Sequence, residues 1–203
     1  MYVGVFFKRY ILGLWCVAEG LVYSMFDEEK HVTDEHMSGA LEYVVSIDYG
    51  TVNPFSAGLW AFDGKHSQRE AELYYNSREV GKRVDDEAYY KMLKELIGDR
   101  KVSCIIIDPS AASFIEVIKK YGEYTVRKAD NDVLDGIRVV TTMLNKGLLK
   151  IYKDCTSCIN EFGLYCWDEE KNNDTVIKEN DHAMDDTRYY VYTFLRRRLR
   201  WKY

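Results

Sequence analysis

Two aspartates stand directly after apolar runs. Asp48 ends YVVSID (43–48), and Asp108 follows VSCIII (102–107) in IIIDPS. An ionised carboxylate in such a place is costly unless it is paired or bound to a metal ion. If the two runs are neighbouring parallel strands, the carboxylates emerge side by side at their carboxyl ends, where α/β sheets place ligands. Two such charges repel, and a hard divalent cation relieves the repulsion. Either residue taken alone could equally start a turn or cap a helix, because Asp is common at strand ends. A third segment, DHAMDDTRYY (181–190), supplies more donors. On a helix, His182 and Asp185 share a face at i and i+3, and Asp181 and Asp185 share one at i and i+4. Laid over two strand ends, that helix brings one or two acids and an imidazole to the carboxylate pair. The competing reading is a helix start decorated with acids for its dipole. Asp186 is a possible additional acid. It lies about 100° round the helix from Asp185 and is expected in water or against a basic neighbour such as Arg188.

The elements that must position these residues are legible along the chain of 203 residues, a length that fits one domain. Strands are expected over 43–48, 56–62 and about 68–75, the last two joined by an Asp63-Gly64 turn. A helix follows over about 85–97, capped by Asp85 and closed by Gly98. Strand 102–107 leads to a helix from a Ser110 cap to Tyr121, then a short strand at 124–127. A helix over 131–145, a strand or extended link over 148–152, and helices over 155–167 and 182 to about 199 complete the chain. The order β-β-β-α-β-α-β-α gives an α/β fold. It has a mixed central β-sheet of about five strands flanked by helices on both faces, the element order of the ribonuclease H-like fold. Residues 27–40 are polar, so 1–40 reads as a linker-like segment and 41–203 as the domain proper.

Several function classes drop out. There is no GxxxxGK[ST] phosphate loop. No apolar stretch reaches the ~18 residues of a membrane span, and Lys8 and Arg9 interrupt the apolar N-terminus where a signal peptide would not. Net charge is −5, but the last eight residues, RRRLRWKY, carry five positive charges and leave the rest at −10. An acidic body with local basic patches argues against a nucleic-acid coat protein and allows an acidic, cation-requiring site. Three segments are candidate DNA contacts: Arg127 and Lys128 near the proposed site, then Lys146, Lys150 and Lys153, and the terminal run. The five cysteines read as reduced thiols. CTSC (155–158) falls at helical spacing with Phe162 and Cys166 and reads as core, with no second pair at zinc spacing. His31, His36 and His66 lie in polar stretches and are expected to be solvated.

The motifs together resemble a known family. LGLWCVAEGLVYSMFD (12–27), YVVSIDYG (43–50), CIIIDPSAASF (104–114), VRKADNDVLDGIRVV (126–140), INEFGLYCWD (159–168) and DHAMDDTRYYVY (181–192) look like the C-terminal nuclease domain of the large terminase subunit, the DNA-packaging motor of tailed bacteriophages and prophages. The resemblance covers nearly the whole chain, in the family's order. It implies a ribonuclease H-like endonuclease that hydrolyses double-stranded DNA with two Mg²⁺ or Mn²⁺ ions and little sequence preference. It carries a metal-ligand role onto Asp48, Asp108 and Asp185 and a site role onto His182. Asp48, on the central strand, would bridge both ions, and His182 would orient water or protonate the leaving group. The family usually has a small residue after the last acid. Asp186 stands there in this chain, which leaves open which of the two adjacent acids faces the metal. The resemblance also implies an upstream ATPase domain, a small terminase subunit and a portal as partners, and the host cytoplasm as location. Without that ATPase domain the chain is expected to be a fragment starting near the linker that follows it.

Three rivals remain. IDYGT resembles the phosphate-binding turn of sugar kinases and actin-like ATPases, but IDPS has Pro and Ser where their second loop needs Gly. Another ribonuclease H-like nuclease or resolvase would use the same carboxylates. A non-catalytic DNA- or portal-docking domain would have no need of them.

Overall fold

The structure, a computed structural model, describes residues 20–50, 53–168 and 175–199. The N-terminal part of LGLWCVAEGLVYSMFD and the end of the basic tail, Arg200 to Tyr203, lie outside the described residues. Seven strands form one sheet: β1 (Val32–Thr33), β2 (Glu42–Asp48), β3 (Phe55–Phe62), β4 (Ser67–Tyr75), β5 (Val102–Ile107), β6 (Val126–Lys128) and β7 (Leu149–Tyr152), in the order β1-β7-β4-β3-β2-β5-β6. Among these pairings, β3 alone runs antiparallel to its neighbours. The others are parallel. This is the expected mixed sheet, with more strands than the expected five. The extra ones are short: β1 has two residues and β6 three, too few to show a period of two.

Side-chain alternation divides the core in two. From β2, Val45 and Ile47 join Phe55, Leu59, Ile105 and Ile107 beneath helices α3 (Asp86–Ile97) and α4 (Ala112–Tyr121). Val44 faces the other way, with Trp60, Phe62 and Ile106. That face is covered by α5 (Val133–Asn145), α6 (Thr156–Phe162) and α7 (His182–Tyr190), whose axis continues through a π-helical turn (Val191–Leu195) into α8 (Arg196–Arg198). Two four-residue helices complete the set among the described residues, α1 (Glu28–His31) and α2 (Ser77–Val80). Asp85 caps α3 as expected, through Ala88 N at 2.9 Å. The expected Ser110 cap is replaced by a tight turn, in which Asp108 Oδ1 accepts from Ser110 N at 2.7 Å and α4 starts at Ala112.

The segment expected to be a surface connection is partly built in. β1 pairs with β7, and His31 is buried, its Nε2 lying 3.1 Å from the Leu144 carbonyl oxygen. His36 packs its Nδ1 2.6 Å from the buried Glu70 carboxylate and stacks on Tyr152. His66 lies 3.0 Å from Asp63. The solvated-histidine expectation therefore fails most clearly for His31. Cys104, Cys155 and Cys158 are free buried thiols, as expected, whereas Cys166 is disulfide-bonded and departs from that expectation. Arg196 sits over the Tyr192 ring, Arg197 donates to Asp130 at 2.8 Å, and Arg198 donates to Glu42 at 2.7 Å. The described start of the basic tail is thus tied to its own domain. No helix among the described residues is long and apolar enough to cross a membrane.

Candidate active site

The register of β2 on β5 decides the geometry. Ile47 pairs with Ile107 in parallel, so Asp48 and Asp108 are the next residues along two adjacent strands. Adjacent strands lie about 4.8 Å apart, and alternation turns both residues toward the face under α7. α7 comes down on that face: His182 Nδ1 lies 2.8 Å from Asp48 Oδ2. Asp48, Asp181, His182 and Asp185 line one cleft of about 230 Å³, with Lys178 at its rim. The sequence reading placed Asp48, His182 and Asp185 in one site, and the fold brings these three together.

Asp108 lies beside that cleft rather than in its wall. Its Oδ2 accepts from Asn131 Nδ2 at 3.1 Å and from the Tyr189 hydroxyl at 3.3 Å. Tyr189 is nearly buried and stands on α7 among Asp185, Asp48 and Asp108. Burial first, then those charges, push its hydroxyl pKa up, so it stays a donor. Asp185 Oδ1 accepts from Arg188 Nη2 at 2.8 Å, and Lys178 Nζ is 3.6 Å from its Oδ2. Arg188 also donates to the carbonyl oxygens of Asn131 (2.9 Å) and Asp132 (3.2 Å), which ties α7 to the start of α5. Gly136 leaves room for this: a Cβ there would sit 2.4 Å from Arg188 Cγ.

Burial shapes the electrostatics. It pushes the Asp48 carboxyl up to about 6, only partly offset by the His182 hydrogen bond, and the Asp185 charge adds to the rise. Burial alone would lower the His182 pKa, but the Asp48 carboxylate outweighs it and holds the imidazole above its ordinary value. Asp181 is raised by burial and by Asp185. For Asp108, burial opposes ionisation, but hydrogen bonds from Ser110, Asn131 and Tyr189 prevail and hold it below the usual carboxylate range. The raised acids carry a sign. Asp48 costs the fold most when ionised, so its contribution to stability is greatest below about pH 4 and is lost as pH rises through 6. A cation held at Asp48 would remove that cost only where the carboxylate is ionised. The rise in melting temperature with millimolar Mn²⁺ over chelator should therefore be larger near about pH 7 than near about pH 5. A metal-induced rise that is equal or larger at the lower pH would contradict this.

Asp186 is not where the sequence put it. It is fully buried and faces the sheet. Its carboxylate accepts from Ser46 Oγ at 3.1 Å, from Ser56 Oγ, and from both terminal nitrogens of Arg69, one of them at 3.0 Å. Arg69 is itself fully buried on β4, against Gly58, where a Cβ would meet its Nη1 at 2.5 Å. The acid expected in water or near Arg188 is a structural ion pair, and Arg188 serves Asp185 instead. A second unforeseen carboxylate, Glu161 on α6, accepts from Ala183 N at 2.6 Å, Met184 N at 3.3 Å and Tyr74 Oη at 2.6 Å. It caps the first turn of α7 across the fold, where no local side chain does.

The basic candidates separate. Lys128 pairs with Ile107 and is exposed at the sheet end beside Asp108. Arg127 is half-buried and its charge acts on the Cys104 thiol. Lys150 pairs with Gln68 near the start of β4, and Lys146 caps α5 just before β7. Seven residues of strand, about 23 Å, separate Gln68 from the site end of β4 at Tyr75. Lys146 and Lys150 therefore stand at the opposite end of the sheet from the cleft.

The terminase RNaseH-like domain family matches residues 45–193, which span β2 to the π-helical turn and include every acid of the cleft. The chain belongs to that terminase family. The large terminase of a thermophilic bacteriophage, solved in complex with ADP, is 42% identical, covers 96% of this chain and 50% of its own, and superposes with a TM-score of 0.84. The large terminase subunit of Escherichia phage T5 is 24% identical over an alignment of 205 residues that covers 94% of this chain and 46% of that protein. This terminase domain thus spans about half the length of both relatives. The large terminase nuclease of thermophilic phage G20c, solved with bound magnesium, shares the fold at 12% identity over 88% of this chain and 99% of its own, with a TM-score of 0.64. The sheet and its flanking helices are accordingly those of a ribonuclease H-like terminase domain.

Proposed function

We propose that this chain is the endonuclease domain of a phage DNA-packaging terminase and hydrolyses phosphodiester bonds of double-stranded DNA concatemers in a divalent-metal-dependent reaction. The single observation that carries the reading is that Asp48 and Asp185 share one cleft with Asp108 on the adjacent strand end beside it. Two come from adjacent parallel strand ends and one from α7, with His182 hydrogen-bonded to the first. The donor set suits a hard cation, being carboxylate oxygens in a small polar cleft. Among the described residues no three ligating side chains are gathered into a ready-made cage. Asp108 is engaged by Ser110 and Asn131, and Asp185 by Arg188.

Asp48, Asp108 and Asp185 would hold two Mg²⁺ or Mn²⁺ ions, which supply charge neutralisation at the scissile phosphate and water activation near neutral pH. The protein's own part is positioning and proton handling. His182 shares a proton with Asp48 through Nδ1, which leaves Nε2 to orient water or to protonate the departing 3′-oxygen. Glu161 and Arg188 fix the helix that carries His182 and Asp185. Lys128 and Arg127 lie on the strand beside Asp108 and are the candidate contacts to the DNA backbone from the sequence that stand at the site end. Backbone contacts position a duplex without reading its sequence. An ATPase domain, a small terminase subunit and a portal are the partners this reading implies, in the cytoplasm of the host.

Incubation with supercoiled plasmid tests it. Mg²⁺ or Mn²⁺ should give nicked, then linear, then heterogeneous products, and excess EDTA should abolish them. Undiminished cutting in EDTA, or a discrete sequence-determined fragment pattern, would overturn the reading.

A further inference from the structure

The loop between β4 and α3 carries three cations that the site's chemistry has not used: Arg78, Lys82 and Arg83, in NSREVGKRV (76–84). All three are exposed, and none has an acidic partner within 4 Å among the described residues. Lys65, Lys91, Lys101 and Lys150 are likewise exposed without an ion pair among the described residues, so what marks Arg78, Lys82 and Arg83 is their clustering within six residues at one end of the sheet. Lys30, Lys94, Lys119, Lys120, Arg138 and Arg197 each hold a carboxylate. A local cluster of like charge attracts and steers an approaching polyanion. Glu79 is the sole acid of the loop and leaves it net positive.

Topology puts this loop at the cleft. β4 runs parallel to β2, and Tyr75, its last residue, pairs with Phe55 at the site end of β3, next to the Asp48–Ser56 pair. The loop is also pinned there. Tyr75 Oη donates to the Lys82 carbonyl oxygen at 2.8 Å, and its ring meets Tyr89 edge-on. Tyr89 Oη in turn donates to the carbonyl oxygen of Gly50, two residues after Asp48. Asn76 caps the short turn of α2, and Gly81 closes it with φ near 70°. The cations therefore stand on a shaped turn rather than a slack one.

Across the sheet end, the order is β4 with this loop, β3, β2 with Asp48, β5 with Asp108, and β6 with Lys128. Four strand spacings separate β4 from β6, about 19 Å, which matches about six phosphate steps along one DNA strand. A polyanionic backbone crossing the carboxylates would meet Lys128 on one side and the loop on the other.

We infer that Arg78, Lys82 and Arg83 form a second phosphate-contacting element, which holds the DNA backbone on the side of the cleft opposite Lys128. The inference rests on the nuclease reading and adds a contact surface to it. Anchoring on both sides keeps the scissile phosphate over an acidic cleft that by itself repels it.

The test is duplex binding by fluorescence anisotropy. It uses a labelled 30-base-pair DNA in Ca²⁺ across a salt series, with the whole chain. R78Q/K82Q/R83Q is compared with K65Q/K101Q/K150Q, which removes the same charge at the far end of the sheet. The charge-retaining R78K/R83K serves as a second reference. Circular dichroism and melting temperature verify folding, which exposed substitutions should leave intact. Each lost phosphate contact lowers the salt slope by about 0.9. The loop variant is therefore expected to lose about two to three from the slope and at least about ten-fold in affinity near 0.1 M salt. The far-end variant and R78K/R83K should stay close to wild type. Wild-type binding with an unchanged or equally reduced slope in the loop and far-end variants overturns the loop assignment alone. No duplex binding by wild type overturns the nuclease reading and the loop assignment with it.

Discussion

Asp185→Ala and Asp48→Asn are each expected to reduce metal-dependent plasmid cleavage by at least about two to three orders of magnitude while the chain stays folded. Both side chains line the cleft, and the reaction needs charge held where the phosphate is attacked. The two variants should differ in another respect. Asp48→Asn keeps a hydrogen-bonding partner for His182 but removes a carboxylate whose ionisation is disfavoured by burial, so its metal-free stability near neutral pH should be equal to or above wild type. Asp185→Ala leaves the nearly buried Arg188 without its carboxylate and should lower stability as well as activity. Cleavage at equal folded fraction, with urea titrations alongside, separates the two losses. Near-normal cleavage by either variant would remove that acid from the site.

Asp186→Ala is expected to destabilise the fold by about 3–5 kcal/mol, because it strands a fully buried arginine. The loss includes two hydroxyl donors, Ser46 and Ser56, which would be left without their acceptor. Replacing the pair together, as Arg69→Met with Asp186→Leu, should recover part of that loss, the remainder reflecting Glu72, whose carboxylate lies 3.8 Å from Arg69 and would lose that cation. The measure is the urea midpoint at unchanged slope. An Asp186→Ala variant within about 0.5 kcal/mol of wild type would mean that Arg69 finds another partner. The adjacent acids thus do different work, one facing a cleft and the other holding α7 to the sheet.

The contrast shows where sequence was sufficient. The side-by-side placement of Asp48 and Asp108 was legible because each directly follows an apolar run, and the two runs fold as adjacent parallel strands. Asp185 and His182 were legible because their spacing is a helical one. Asp181, which also lines the cleft, carried the same i, i+4 signal, but the site was drawn without it. Asp186 was misplaced because its partner lies 117 residues away on β4, inside QREAELYY, which reads as a half-exposed strand. Ser46 and Ser56 look like ordinary strand residues until the fold stacks them under α7. Glu161 was missed for a related reason: a helix cap supplied from another helix leaves no local motif. β1 escaped because two residues carry no periodicity, and Lys146 and Lys150 stood among the candidate DNA contacts because sequence does not say at which end of the sheet a loop falls.

Diffraction from crystals soaked in Mn²⁺, with anomalous data, tests the central claim most directly. The account predicts two peaks about 3.5–4 Å apart, within coordination distance of Asp48, Asp108 and Asp185, with Asp48 on both. Loss of both peaks in Asp48→Asn and their retention in an Asp186 variant that still folds would agree with it. No peak at Asp48 under saturating Mn²⁺, or ions bound elsewhere on the surface alone, would contradict it.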